Sequence, residues 1–185
     1  KKGWKVCSSI DCSRMQRAWQ TARIIADHLQ DEAGEALLLE EFEALAERGV
    51  GSAANLPVEQ IEELLHRDPR YTDPPTDWKA DSHYRLPFQG AESLLQAGER
   101  VASHLQQRMA IISSSAEADT VKIFVGHGAA FRHAAYHLQV LEFDQLARLS
   151  MYHGRPLFLE YRAKLEWRHV AGEWKPRSPK IERKD

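Results

Sequence analysis

The sequence has two cysteines, no long apolar run and no excess of charge of one sign. Cys7 and Cys12 are five positions apart, so in an extended segment they would lie about 16 Å from each other, too far for a disulfide. We therefore expect reduced thiols and a cytoplasmic protein. Two cysteines are also too few for the usual zinc frameworks, and we expect no metal and no other cofactor.

Hydropathy and charge exclude two classes of partner. No apolar run approaches the roughly 18 residues of a membrane-spanning helix. Charged residues make up 28% of the chain with a net charge of −2, whereas a nucleic-acid footprint needs a strong basic excess. We expect no membrane and no nucleic-acid partner. A local basic pocket for a small anion is compatible with this composition. The composition does not determine the oligomeric state.

Apolar periodicity predicts strands that alternate with helices. Residues 5–12 and TVKIFV (120–125) are typical of strands, the second of a buried one. Ser13 is expected to cap a helix that buries Met15, Trp19 and the apolar positions that follow at helical spacing. Further helices are predicted at 56–67, 91–112 and about 130–138, whereas ALLL (36–39) suits either strand or helix. The fold class is α/β, a three-layer α/β/α sandwich with a mostly parallel sheet, whose ligands bind beyond the carboxyl ends of the strands.

The 185 residues suit a single domain with one insertion. Residues 68–90 hold four prolines and no periodicity, and so long a loop is usually functional. We expect an insertion or lid over residues 52–90. A hairpin is predicted in LEWRHVAGEW, with its turn at Ala171–Gly172.

Two segments share a strand–turn–helix design, DCSRMQRA and FVGHGAAFRH. Each places a cationic or titratable side chain, Arg17 or His127, where a helix N-terminus meets a strand end. Such helix ends offer free N–H groups to anions, and an arginine fork matches phosphate oxygens. Each residue alone is weak evidence, because most such arginines are only solvated and most turn histidines are structural.

Four motifs in order resemble the histidine phosphatase superfamily, with its phosphoglycerate mutase-like fold. Ser13, Arg17-Ala18 and Gln20-Thr21-Ala22 match its Ser-x-x-x-Arg-Ala-x-Gln-Thr-Ala segment. LAERGVG (45–51) is similar to its Asn-Glu-Arg-x-x-Gly loop with Ala46 in place of asparagine, and GAESLLQAGERV (90–101) to its Gly-Glu-Ser-Leu segment with one extra alanine. KIFVGHGAAFRHAAYHL is similar to its second-histidine motif.

The resemblance implies metal-independent phosphoryl transfer from a small phosphorylated substrate through a phosphohistidine. By position, the catalytic residues would be Arg17, His127 and Glu47, the last as the acid that protonates the leaving alcohol. Substrate-binding residues would be Ser13, Arg48, Gly128 and Ala129. Glu41 and Glu43 are nearby substitutes for Glu47 if the register differs.

The family's nucleophile lies in an Arg-His-Gly motif that residues 1–185 lack. We expect it, with the first strand and part of the first helix, before Lys1. A phosphatase is favoured; a phosphoglycerate mutase-type phosphomutase and an inactive binding protein are the alternatives. His133 and His137 are four apart but lack the intervening glutamate of a zinc motif. Measured from Phe131 they point away from the apolar stripe of their helix, and we expect both at the surface.

Overall fold

A parallel three-stranded sheet lies at the centre of the computed structural model, which describes residues 4–33, 36–115, 119–162 and 166–177. Its strands are β1 (Lys5–Ser13), β2 (Leu38–Phe42) and β3 (Thr120–Val125), in the order β2-β1-β3. Ser13 aligns with Phe42, and Cys12 with Val125. All three carboxyl ends therefore meet at one edge, as the α/β prediction requires.

Helices cover both faces of this sheet. On one face, α1 (Gln16–Ala33) packs Ala18, Ala22 and Ala26 on Ile10 and Cys12. On the other, α3 (Leu94–Ser115) and α4 (Gly128–His137) enclose a second core that Phe42 and Phe124 of the sheet border. The predicted three-layer α/β/α architecture is confirmed.

The start of α1 differs from the prediction. The helix begins at Gln16, so Ser13 ends β1 and does not cap the helix. Met15 and Trp19, expected in the core, are 37% and 38% exposed. The buried apolar side chains of α1 are alanines, and Ile25 packs partly buried against the same cluster.

The expectation that His133 and His137 lie at the surface is wrong. His133 is fully buried between α3 and α4, where Nδ1 donates to the carbonyl of Ala129 at 2.8 Å. His137 is half-buried, and its Nε2 donates to the carbonyl of Leu95 at 2.9 Å. Gly98 of α3 permits the burial of His133, because a Cβ at position 98 would lie 2.4 Å from the His133 Cβ. The two helices thus approach closely at a position where the sequence has no side chain.

The segment between β2 and α3 forms a core of its own. A 3-10 turn at Glu43–Leu45 and another at Gly51–Ala53 precede α2 (Val58–Arg67). Irregular chain follows up to α3, with Trp78 2% exposed. The six buried residues of this cluster are Ala53, Ile61, Leu65, Trp78, Leu86 and Ala91.

The last strands pair differently from the predicted hairpin. β5 (Phe158–Arg162) and β6 (Glu166–Ala171) are antiparallel partners, so the hairpin connection precedes β6 and is not at Ala171–Gly172. After Gly172 the chain continues to β7 (Lys175–Pro176), which pairs with β4 (Leu149–Ser150) beyond α5 (Phe143–Arg148). Period-two alternation marks strands but does not choose their partners. No helix in the described ranges is both long and apolar enough to span a membrane.

A buried ionic cluster joins the sheet to α3. Asp11 of β1 is fully buried and accepts hydrogen bonds from His104 (3.0 Å) and from Arg108 Nε (2.7 Å). The side chain of Lys122 on β3 is 1% exposed and forms an ion pair with the same carboxylate at 2.5 Å. Burial raises the pKa of Asp11, but the bonds from these three partners outweigh it and hold the pKa below its usual range.

Candidate active site

Ser13 and His127 meet at the carboxyl edge of the sheet. Ser13 ends β1, and His127 follows β3 by two residues and is the N-cap of α4. Nε2 of His127 lies 2.9 Å from Oγ of Ser13, and both residues are buried. The Ser13 oxygen also accepts the amide of Met15 at 3.2 Å, which leaves its hydrogen available for His127.

The turn that carries His127 is held by close packing. A Cβ on Gly126 would lie 2.6 Å from the Phe131 ring and 3.1 Å from the Leu45 carbonyl, so only glycine fits. The first hydrogen bond of α4 runs from Phe131 N to His127 O. The amides of Gly128 and Ala129, at the start of the helix, therefore have no intrahelical acceptor, and the N-terminus of a helix is where an anion is favoured.

Charged groups surround His127. Burial lowers the pKa of His127, the positive charges of Arg17 and Arg100 lower it further, and the carboxylate of Glu47 opposes them. His127 is therefore neutral near pH 7 and can offer a hydrogen bond without a charge. Because both Arg17 and Glu47 change the pKa of His127, their charges lie near its ring.

Arg17 is the second residue of α1 and is exposed. Within the described ranges, no carboxylate lies within ion-pair distance of its guanidinium. A guanidinium free of carboxylates beside a neutral histidine is suited to bind the oxygens of a phosphoryl group.

Glu47 and Arg48 lie on the segment that follows β2. The Glu47 carboxylate accepts the backbone amide of Arg48 at 3.1 Å. The Arg48 guanidinium is stacked on Trp78, with Cζ 5.2 Å from the ring centroid, and the indole N–H donates to Glu62 at 2.9 Å. Burial lowers the pKa of Arg48, while Glu47 raises it. The 52–90 segment thus forms the wall behind Arg48. Glu41 and Glu43, the alternative acids, are both exposed, on β2 and its following turn.

Sequence reasoning assigned no role to Glu92 and Arg100, although both lie in the matched segment 90–101. Both contact the segment that carries Glu47, across more than 40 residues of chain. The motif marks the two residues, but the sequence gives no signal of which part of the chain they contact.

Metal ligands do not assemble here. Within the described ranges, no group of three or more His, Cys, Asp or Glu side chains is placed to hold an ion. A surface cavity of about 500 Å³ lies elsewhere, and none of the candidate site residues lines it; its walls are Gln145, Arg148, Leu149, Pro176 and Arg177.

Comparison with known proteins follows the same motifs. A family model described as histidine phosphatase superfamily (branch 1) matches residues 5–169. A mycobacterial glucosyl-3-phosphoglycerate phosphatase solved with VO3 is similar, with a TM-score of 0.62 and 20% identity over 88% of this chain and 75% of that one. A structure named mycobacterial hydrolase 2 gives 0.59 and 18%, over 93% and 72%. No curated protein matches the chain. At these identities the structural likeness shows the fold.

Proposed function

The chain belongs to the histidine phosphatase superfamily, and we propose that it hydrolyses a small phosphomonoester without a metal, through a phosphohistidine. What supports this most is the convergence of a buried neutral His127, a carboxylate-free Arg17 and Glu47 at one sheet edge. Arg17 binds and neutralises the phosphoryl group, His127 donates a hydrogen bond to it, and the Glu47 carboxyl group transfers the proton.

The proposed reaction has two steps. A histidine nitrogen attacks phosphorus, the P–O bond to the alcohol breaks, and Glu47 gives its proton to the departing oxygen. Glu47 then takes a proton from water, which attacks the phosphohistidine, breaks the P–N bond and releases phosphate. Arg17, His127 and the amides of Gly128 and Ala129 hold the phosphoryl oxygens in both steps. Ser13 holds His127 in place, and Arg48 binds the rest of the substrate.

The attacking histidine is proposed to precede Lys1 in the natural chain, as the family resemblance implies. All nine histidines of residues 1–185 are described, and His127 is the one at this site. His104 and His133 are engaged in the core, with Asp11 and with Ala129. Among the described strands β3 pairs with β1 alone, so its other edge is open to a strand carrying the nucleophile.

The test is hydrolysis of p-nitrophenyl phosphate by the natural full-length protein in EDTA. We expect turnover, and a loss of about 100-fold or more in Arg17→Ala or His127→Ala, the range for removing one group that stabilises transition-state charge. Arg23→Ala is the matched control, because Arg23 lies on the same helix in an exposed pair with Asp27. Acid-labile label on the protein during turnover identifies the phosphohistidine.

Three outcomes contradict the proposal. Activity that EDTA abolishes and a divalent cation restores removes the metal-independent mechanism. Isomerisation of 3-phosphoglycerate without free phosphate assigns a mutase. Binding of phosphate without turnover of any phosphomonoester, with glucosyl-3-phosphoglycerate among those tried, assigns a binding protein.

A further inference from the structure

Glu92 and Arg100 form an ion pair beside the segment that carries Glu47. Nε of Arg100 donates to Oε1 of Glu92 at 2.9 Å, and Nη2 donates to Oε2 at 2.8 Å. Parallel bonds of this kind fix both side chains in one geometry. Glu92 lies two residues before α3 and Arg100 in its second turn, with about a quarter of each side chain exposed.

The same two side chains bind the backbone of residues 43–49. Nη1 of Arg100 donates to the carbonyls of Ala44 (2.9 Å) and Ala46 (3.2 Å). A longer contact of 3.3 Å reaches Glu43, and Nη2 lies 3.5 Å from the Glu47 carbonyl. A guanidinium thus neutralises the carbonyls that end the 3-10 turn, where a helix carries partial negative charge.

Glu92 fixes the other end of this segment. Its Oε2 accepts the Gly49 amide at 3.0 Å, and its own amide donates to the Gly49 carbonyl at 2.8 Å. Val50 and Ala91 are opposite each other in an isolated antiparallel bridge, which extends the pairing by one residue. Glu47 therefore lies between two fixed points, the Arg100-bound carbonyls before it and the Glu92-bound glycine after it.

We propose that Glu92 and Arg100 are positioning residues that hold Glu47 where it can protonate the leaving group. This inference rests on the proposed function, in which Glu47 is the acid. Neither side chain needs to touch substrate, because all their described bonds go to each other and to residues 43–49. The Arg100 charge also lowers the pKa of His127, so Arg100→Lys, which keeps that charge, is the informative variant. It leaves Arg17 and His127 in place to bind the phosphoryl group, and the proton transfer loses its geometry.

Two substrates separate these effects in the full-length protein. The leaving group of glycerol phosphate is an alkoxide unless its oxygen is protonated, whereas the leaving group of p-nitrophenyl phosphate is a stable phenolate. We expect Arg100→Lys and Glu92→Gln to lower kcat on glycerol phosphate by about 10- to 100-fold, within the range of general acid catalysis, and kcat on the aryl ester by less than about threefold. KM should change little for either. Glu47→Gln should show the same selectivity with a larger loss.

Asp11→Asn is the matched control, because it weakens packing between the sheet and α3 without contacting residues 43–49. It should lower stability and leave the ratio of the two rates unchanged. Hydrogen exchange gives a readout besides activity. Relative to distant amides, the Ala46 and Gly49 amides should exchange at least tenfold faster in Arg100→Lys than in the unsubstituted protein. In Asp11→Asn they should show no such selective increase.

Equal losses on both substrates in Arg100→Lys overturn the positioning role while leaving the proposed function intact. If Glu47→Gln itself shows no selectivity, the acid assignment and the positioning role fall together. If the unsubstituted full-length protein hydrolyses neither ester, the proposed function fails. If hydrogen exchange at Ala46 and Gly49 is also unchanged in Arg100→Lys, the structural basis of the inference fails as well.

Discussion

Acid should destabilise the fold through His133 in a pH range where most carboxylates are still ionised. Burial lowers the pKa of His133 to about 4, and the nearby charges of Arg132, His137 and Arg48 act in the same direction, while the bond to Ala129 opposes them. With Nδ1 donating to that carbonyl, Nε2 accepts the hydroxyl hydrogen of Ser82 at 3.0 Å. Both ring nitrogens are therefore satisfied in the neutral form.

The sign follows from the depressed pKa. Above about pH 6.5 the ring is neutral in both the folded and unfolded chain, and the stability is fully present. As the pH falls toward 4 the unfolded chain takes up the proton first, so stability is lost across that window. The total is about 3 kcal/mol, of which about 2 kcal/mol is lost between pH 7 and pH 5.

Urea unfolding at pH 7 and pH 5 measures this loss, with His133→Gln as the variant and His153→Gln, an exposed histidine, as the control. The difference between the two pH values should shrink by about 2 kcal/mol in His133→Gln and stay unchanged in His153→Gln. Where the glutamine variant does not fold, the ring nitrogen signals of His133 by NMR serve instead and should remain neutral at pH 5. Titration of that ring near pH 6.5 would refute the reasoning.

Two further predictions concern the packing of α3. Asp11→Asn should lower the free energy of unfolding by about 3–5 kcal/mol, because it leaves the buried Lys122 side chain without its carboxylate and removes one of the two carboxylates that pair with Arg108. Asp27→Asn in the exposed pair with Arg23 should cost less than about 1 kcal/mol. Equal effects of the two substitutions in urea unfolding would contradict the buried cluster. Gly98→Ala should cost about 1–3 kcal/mol by overpacking against His133. Gly128→Ala, whose Cβ would meet only Met151 at 3.7 Å, is its control in thermal unfolding and should shift the midpoint little.

Local patterns carried the fold prediction further than the site prediction. The β-branched segment TVKIFV (120–125) and the spaced alanines of α1 are both patterns of neighbouring residues, and each predicts the correct element type. Trp19 was misjudged because helical spacing defines a stripe but not its edges. How close α1 lies to β1 sets those edges, and that distance belongs to the tertiary structure.

The burial of His133 could not be predicted, because it depends on Gly98, 35 positions earlier, and on Ser82 in the irregular segment. Spacing alone predicts His133 at the surface, because it points away from the apolar stripe that contains Phe131. In the structure Ala130, His133 and Ala134 face α3, so the buried stripe is rotated from the predicted one. A glycine on one helix and a polar ring on another give no joint signal in a single sequence.

The arginines around the sheet divide according to what they bind. Arg108 and Arg100 use their donors on carboxylates and carbonyls of the protein, and their charges are already matched. Arg17 and Arg48 have no carboxylate within ion-pair distance in the described ranges, and both belong to the matched motifs. A positive charge that is held next to a neutral histidine and has no counterion raises the free energy of the empty site. It lowers the free energy of the site when an anion is bound. An incoming phosphoryl group supplies the missing negative charge, which is why we assign its recognition to Arg17 rather than to the better-anchored Arg100.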